Sequence, residues 1–65
     1  MKGIIKKWFR YRVFGFIEPE EVDEDVLCHR SEIKYGVAPI EGQKVQFTVV
    51  PHWKGPRAED VRLLN

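Results

Sequence analysis

The sequence lacks the residues on which several classes of function depend. One cysteine and two histidines in 65 residues leave no internal disulfide framework and no set of zinc ligands. No apolar run is long enough for a membrane span or for the core of a signal peptide. We find no nucleophile beside a base and no phosphate-binding glycine loop. A cytoplasmic, non-enzymatic protein without metal or cofactor is therefore expected, and a lone cysteine fits a reducing compartment.

The length and the distribution of charge set further bounds. The 65 residues form one domain, 1–65, with a thin core, because a chain this short buries only about 60% of its unfolded surface. The net charge is +1, but the first twelve residues carry five Lys or Arg and no acid. Residues 18–25 carry six Asp or Glu and no base. We expect a monomer with a basic face and a solvated acidic loop.

Short alternating stretches and turn signals predict β-structure throughout the chain. Val45, Phe47 and Val49 alternate with polar residues in the clearest stretch, whereas the first stretch is irregular, which predicts a β-bulge. Five short strands with almost no helix predict a small all-β protein, closed as an antiparallel barrel without exposed edges. The predicted elements are strands at 2–10, 13–18, 25–29, 43–50 and 57–63, a turn at 10–12, and one helical turn at 31–33 begun by a serine cap.

Two phenylalanines on the second predicted strand are the main functional signal. Phe14 and Phe16 lie two residues apart, so both side chains point to one face and Ile17 points to the other. Gly15 between them allows a neighbouring backbone to approach closely. Residues 7–12 interleave aromatic rings with cations, which suits the bases and phosphates of a single strand. The two rings either fill the core or face solvent as a binding surface. Because Ile17, Val26, Val45, Phe47 and Val49 already supply a core, we predict that both rings face solvent, in agreement with the resemblance described next.

Five segments in order resemble the cold-shock domain family: Lys-Trp-Phe at 7–9, Phe-Gly-Phe-Ile at 14–17, Asp-Val-Leu-Cys-His-Arg-Ser at 25–31, Glu-Gly-Gln-Lys-Val at 41–45 and Lys-Gly-Pro-Arg-Ala at 54–58. This resemblance spans nearly the whole chain and implies a five-stranded OB-fold barrel that binds single-stranded RNA or DNA by stacking bases on surface aromatics. Together with the basic residues it gives these candidate nucleic-acid-binding residues: Lys7, Trp8, Arg12, Phe14, Phe16, Asp25, Leu27, His29, Arg30, Tyr35, Trp53, Lys54 and Arg57.

The chain departs from the usual family pattern at several of these positions. Arg12-Val13 stands where the family usually has Lys-Gly, and Leu27 and Arg30 replace two aromatic residues. Leucine offers no π face, whereas the planar guanidinium of arginine can stack and attract phosphate. Each lost ring costs on the order of 1–3 kcal/mol per base. We therefore expect weaker affinity or altered base preference, with a stronger dependence on salt.

Three local assignments have alternatives. The family motif places Trp8 beside Phe14 and Phe16, whereas an ungapped alignment puts Lys7 at the tryptophan position; a shift of one residue exchanges the faces. We adopt the motif register. Trp53 is either an added stacking ring or a cover for the end of the barrel, and its neighbour His52 is either solvated or a ligand contact. Cys28, opposite in direction to His29, is expected in the core.

The predicted function is binding of single-stranded nucleic acid, RNA or DNA, with RNA favoured as the partner and with RNA-chaperone-like activity; no residue is assigned to the 2′-hydroxyl that distinguishes the two. In this prediction Arg10 joins the other cations in neutralising phosphates. An alternative is an OB-type protein-interaction module, which the two lost aromatics and the acidic loop favour. Another is a translation-associated factor that contacts structured RNA through charge.

Overall fold

The computed structural model describes residues 1–34 and 38–64. The strands close into a ring in the order β1-β2-β3-β5-β4, so the predicted all-β class, strand number and closure are confirmed. No helix in the described ranges is long and apolar enough to cross a membrane. The elements are β1 (Lys2–Phe9), β2 (Phe14–Pro19), β3 (Val26–His29), a 3₁₀ helix (Arg30–Glu32), β4 (Lys44–Val50) and β5 (Arg57–Leu63).

The prediction that every strand pair is antiparallel is wrong for one pair. The pairs β1–β2, β2–β3, β1–β4 and β4–β5 are antiparallel, but β3 and β5 run parallel, with Leu27 opposite Arg57. Parallel neighbours need a long crossover connection, and here residues 30–56 supply it with the 3₁₀ helix and β4. A further parallel bridge joins Ile33 to Val61. This crossover brings the β4–β5 loop beside β3.

The core consists of apolar side chains on the inner face of the ring, most of them aliphatic and one, Phe47, aromatic. Alternating residues of β2, β3 and β4 are buried, as the period of two in a strand requires. Cys28 is fully buried, and its burial raises the pKa of the thiol to about 11, so the predicted core position is confirmed. The buried hydrophobic residues are Ile5, Ile17, Val26, Cys28, Ile33, Val45, Phe47, Ala58 and Val61.

The helical turn after β3 begins one residue earlier than predicted, and its cap is a different residue. The 3₁₀ helix starts at Arg30, and His29 Nδ1 accepts a hydrogen bond from the Ser31 backbone N–H. Ser31 was the predicted cap, but its own backbone N–H is the group that needs an acceptor. The histidine side chain is thereby fixed at the end of β3.

The turn between β1 and β2 is one residue longer than predicted. It spans residues 10–13, and the Arg12 N–H donates to the Phe9 carbonyl at 2.9 Å. Val13 closes the turn with φ +53°, in a conformation that β-branched residues rarely adopt. Strand β2 therefore begins at Phe14, which pairs with Phe9.

The predicted bulge in β1 is confirmed, between Ile5 and Lys7. Ile5 pairs with Ile17 in the core, whereas beyond the bulge Lys7 pairs with Phe16, Trp8 with Gly15 and Phe9 with Phe14. The extra residue inverts the alternation of β1. The prediction that Trp8 shares a face with Phe14 and Phe16 is therefore wrong: Trp8 lies on the inner face, and the ungapped register is the correct one.

Candidate nucleic-acid interface

Three phenylalanine rings form a cluster on the outer face of the β1–β2 hairpin. The ring centroids lie 5.1 Å apart for Phe9 and Phe14, 6.2 Å for Phe9 and Phe16, and 6.1 Å for Phe14 and Phe16. The pairs with Phe16 meet edge to face, an arrangement that aromatic quadrupoles favour. All three rings are half-buried and lie outside the core. The predicted outward direction of Phe14 and Phe16 is confirmed, and we call the three rings the phenylalanine platform.

Phe9 is the member of the platform that the sequence analysis missed. Its position follows from the length of the turn, because a turn of residues 10–13 places Phe9 directly opposite Phe14. Val13 caused the error. Its β-branched side chain is typical of a strand, so the sequence analysis placed it in the second strand, although it lies in the turn. One residue of turn length thus decides whether Phe9 or Trp8 joins the outer rings.

Trp8 packs against the interior instead. It is half-buried and contacts the hydrophobic core, and its backbone N–H donates to Glu41 Oε2 at 3.1 Å. A Cβ at Gly15 would overlap the Lys7 carbonyl oxygen and the Trp8 ring, so the glycine permits this close packing. The close approach predicted at Gly15 is confirmed, and it is Trp8 that packs against the glycine.

Strand β3 borders the phenylalanine platform on its other side. Leu27 lies opposite Phe16 and His29 lies opposite Phe14, both half-buried on the outer face. Because His29 Nδ1 accepts from the Ser31 backbone N–H at 3.1 Å, the neutral ring carries its proton on Nε2. The ring is thus held beside Phe14 with an N–H donor still available.

Cations lie along the β1–β2 edge of the platform. Lys7 is opposite Phe16, and the Arg12 guanidinium lies 5.7 Å from the centroid of the Phe14 ring, within the range of a cation–π contact. The Arg30 backbone N–H donates to the Val13 carbonyl at 2.9 Å, which holds Arg30 beside the same turn. The side chains of Lys7, Arg10, Arg12 and Arg30 are exposed. Positive charge from Lys7 and Arg12 therefore lies beside the rings.

The β4–β5 loop carries a second aromatic group. Trp53 is 84% exposed, so it does not cover the end of the ring of strands, and that alternative is excluded. Its indole stacks on His52 with centroids 5.8 Å apart and planes inclined by 27°. Lys54 Nζ lies 4.8 Å from the Trp53 centroid, and the Lys54 backbone N–H donates to His52 Nδ1 at 3.2 Å. These contacts hold an exposed indole in a defined position.

A groove of about 470 Å³ connects the platform with this loop. Asp25 lies in the groove and accepts a hydrogen bond from Lys6 Nζ at 3.0 Å; this bond raises the pKa of Lys6. The Leu27 backbone N–H donates to the Pro56 carbonyl at 3.1 Å, which fixes the loop against β3. The groove is lined by Phe16, Glu24, Asp25, Leu27, His52, Lys54, Gly55, Pro56 and Arg57.

The structure thus brings most of the predicted residues onto one continuous outer surface. Tyr35 lies outside the described residues. Within residues 1–34 and 38–64, no group of three or more His, Cys, Asp or Glu side chains is placed to hold a metal ion. What the surface offers is flat rings, a groove and exposed cations, the chemistry that binds nucleic acid.

Comparison with known proteins identifies the family of the chain. The 'Cold-shock' DNA-binding domain family matches residues 1–64. The chain is 40% identical to a cold shock-like protein of Aquifex aeolicus, an alignment that covers 98% of this chain and 94% of the relative. It is also 40% identical to the cold shock-like protein CspE of Escherichia coli, covering 94% of this chain and 91% of the relative.

A solved structure supports the fold independently. The chain superimposes on "drosophila Unr CSD456" with a TM-score of 0.83 at 22% identity, covering 98% of this chain and 26% of that one. The match at this identity concerns the closed five-stranded architecture. The family match over residues 1–64 and the two bacterial relatives lead to one conclusion. The chain belongs to the cold-shock domain family, a nucleic-acid-binding and non-enzymatic family.

Proposed function

We propose that this protein binds single-stranded nucleic acid, RNA in particular, by stacking bases on the phenylalanine platform. The observation that carries the proposal is the cluster of Phe9, Phe14 and Phe16, whose centroids lie 5.1–6.2 Å apart outside the core. Bases stack on aromatic rings whatever their sequence. In a duplex the faces of the bases are already stacked on each other, so the platform favours an unpaired strand.

The exposed cations supply the contacts to phosphate. Arg12 lies over Phe14 and Lys7 lies opposite Phe16, so a phosphate beside a stacked base meets a positive charge. At the other end, Lys54 lies over the exposed Trp53, which serves as a further stacking ring. Because each neutralised phosphate releases counterions, affinity falls steeply as salt increases.

Preference for the unpaired strand gives RNA-chaperone-like activity without any chemical step. A protein that binds only the open form of a hairpin shifts the folding equilibrium toward that form by mass action. The shift grows with protein concentration and needs no nucleotide hydrolysis. We assign the protein this activity in the cytoplasm, as a monomer.

Fluorescence anisotropy of a labelled oligouridine, at two salt concentrations, tests the proposal. We expect binding that weakens as salt increases, competition by unlabelled oligo-dT, and weaker binding of a duplex of the same length. A hairpin carrying a fluorophore and a quencher should open on addition of protein. Failure of both single strands to bind at low salt would refute the proposal.

The acidic loop favours one competing function. Glu24 and Asp25 lie in the groove next to Phe16, where they repel phosphate, and Leu27 offers no stacking face. Both features suit a protein-interaction module of the same fold, since fold does not determine function. Absence of binding at low salt would favour that module.

Duplex RNA bound as tightly as the single strand would favour a translation-associated factor.

A further inference from the structure

The groove beside the phenylalanine platform has an unusual distribution of charge. Its apolar wall consists of Phe16, Leu27 and Pro56, all half-buried. Carboxylates and cations line the same groove, with Glu24 from the β2–β3 loop and Arg57 from the start of β5. The volume of about 470 Å³ lies in the usual range for small organic ligands, roughly 300–1,000 Å³.

The opposite charges in the groove do not neutralise each other. Within the described ranges the ion pairs are Lys6–Asp25, Lys34–Asp60 and Arg62–Asp60. Asp25 is thus held by Lys6 from outside the groove lining, whereas Glu24 and Arg57 form no ion pair in that part of the chain. Neither side chain is held by an oppositely charged partner there, although Arg57 also borders a neighbouring cavity lined by Glu32 and Glu59.

These two side chains suit a ligand that carries both donors and acceptors. A carboxylate only accepts hydrogen bonds, and a guanidinium only donates them, in a fork that fits two neighbouring acceptors. A phosphate satisfies Arg57 but is repelled by Glu24. A nucleobase satisfies both, and Phe16 provides a surface for its ring.

Among the bases, guanine matches both side chains with two hydrogen bonds each. Its N1–H and N2–H donors are neighbours, as a carboxylate requires, and its O6 and N7 acceptors fit the arginine fork. Uracil has one ring N–H, and adenine and cytosine have one amino group each. The edges of an unpaired base are free for such contacts.

We propose that the groove selects a guanine from the single strand, with Glu24 accepting from N1–H and N2–H and Arg57 donating to O6 and N7. This inference rests on the proposed function, because the guanine belongs to a strand whose other bases stack on the phenylalanine platform. It places a base-specific position at one end of a surface that is otherwise tolerant of sequence.

Uridine heptamers with one substituted central position test the inference, using the whole protein and anisotropy competition. A single guanine per strand avoids four-stranded structures. Guanine should improve affinity by about tenfold over uracil, since a good bidentate pair discriminates between bases by about that much or more. Inosine, which lacks the N2 amino group, and 7-deazaguanine, which lacks N7, should each lose most of the gain.

Two variants assign the preference to the groove. Glu24→Gln should bring the affinity ratio of guanine to uracil strands close to one, while the all-uridine heptamer binds at least as well as before. Arg57→Lys keeps the charge but loses the fork, so 7-deazaguanine and guanine should then bind alike. Asp23→Asn removes one charge from the same loop, outside the groove lining, and should leave the ratio unchanged.

Three outcomes would overturn the inference. Equal affinity for all heptamers would refute the guanine site and leave the proposed function intact. A guanine preference that persists in both groove variants would show that another part of the protein reads the base. Absence of binding to every heptamer would refute the proposed function and the inference together.

Discussion

Replacing Phe9 and Trp8 separately tests the register of β1 and the composition of the platform. Phe9 contacts Phe14 and Phe16 on the outer face, whereas Trp8 packs against the core. If Phe9 stacks one base, Phe9→Ala should lose about 1–3 kcal/mol of binding, roughly 5- to 150-fold in Kd. Trp8→Ala should change Kd by less than about threefold, because its ring lies on the inner face.

For stability we expect the opposite order, with Trp8→Ala losing more free energy of unfolding than Phe9→Ala. Phe9 is half-buried and its loss removes ring contacts worth about 1 kcal/mol. Truncation of a fully buried tryptophan costs about 3–5 kcal/mol, and we expect about 2 kcal/mol for the half-buried Trp8. In a domain of this size, 1 kcal/mol lowers Tm by about 4–8 °C, so Trp8→Ala should melt clearly below Phe9→Ala.

The assay pairs anisotropy titration of oligouridine with thermal unfolding followed by circular dichroism. Binding is measured at a temperature at which both variants remain folded. The reverse result, with Trp8→Ala losing affinity and Phe9→Ala losing stability, would show that Trp8 lies on the outer face and that the register beyond the bulge is wrong.

Three further predictions follow from single residues. Val13→Gly should raise the free energy of unfolding in urea by about 1 kcal/mol, since glycine adopts positive φ without steric cost; Val22→Gly, at a residue of equal exposure without positive φ, should not. Trp53→Ala should weaken strand binding about fivefold in the anisotropy titration, and an unchanged Kd would show that Trp53 does not stack a base. The Cys28 thiol has its pKa raised from 9.0 to about 11 by burial, so its neutral form stabilises the fold fully below pH 9 and progressively less up to pH 11. The stability advantage over Cys28→Ala should shrink across that range, and a constant difference would contradict the burial of the thiol.

Much of the fold could be predicted from local patterns. The alternation of β4 follows from a period of two, and the bulge in β1 followed from its broken alternation. The outward direction of Phe14 and Phe16 was predictable because other apolar residues sufficed for the core. In each case the signal lay within a few consecutive residues.

The errors concern contacts that local patterns do not determine. The face of Trp8 depended on one residue of turn length, and Val13 resembles a strand residue while occupying a left-handed turn position. The parallel pairing of β3 with β5 results from a crossover of 27 residues, 30–56. The groove joins loops that are distant in sequence, so Glu24 and Arg57 had no local signal that they share a site.

The chain contains four phenylalanines, and their ring signals in one NMR titration test the central claim most directly. With ¹³C-labelled phenylalanine and unlabelled oligouridine, the rings of Phe9, Phe14 and Phe16 should shift as bases stack on them. Phe47, 2% exposed in the core, should stay unchanged and serves as the internal control. If the ring signals of the outer phenylalanines shift no more than that of Phe47 while the strand binds, the phenylalanine platform does not hold the bases.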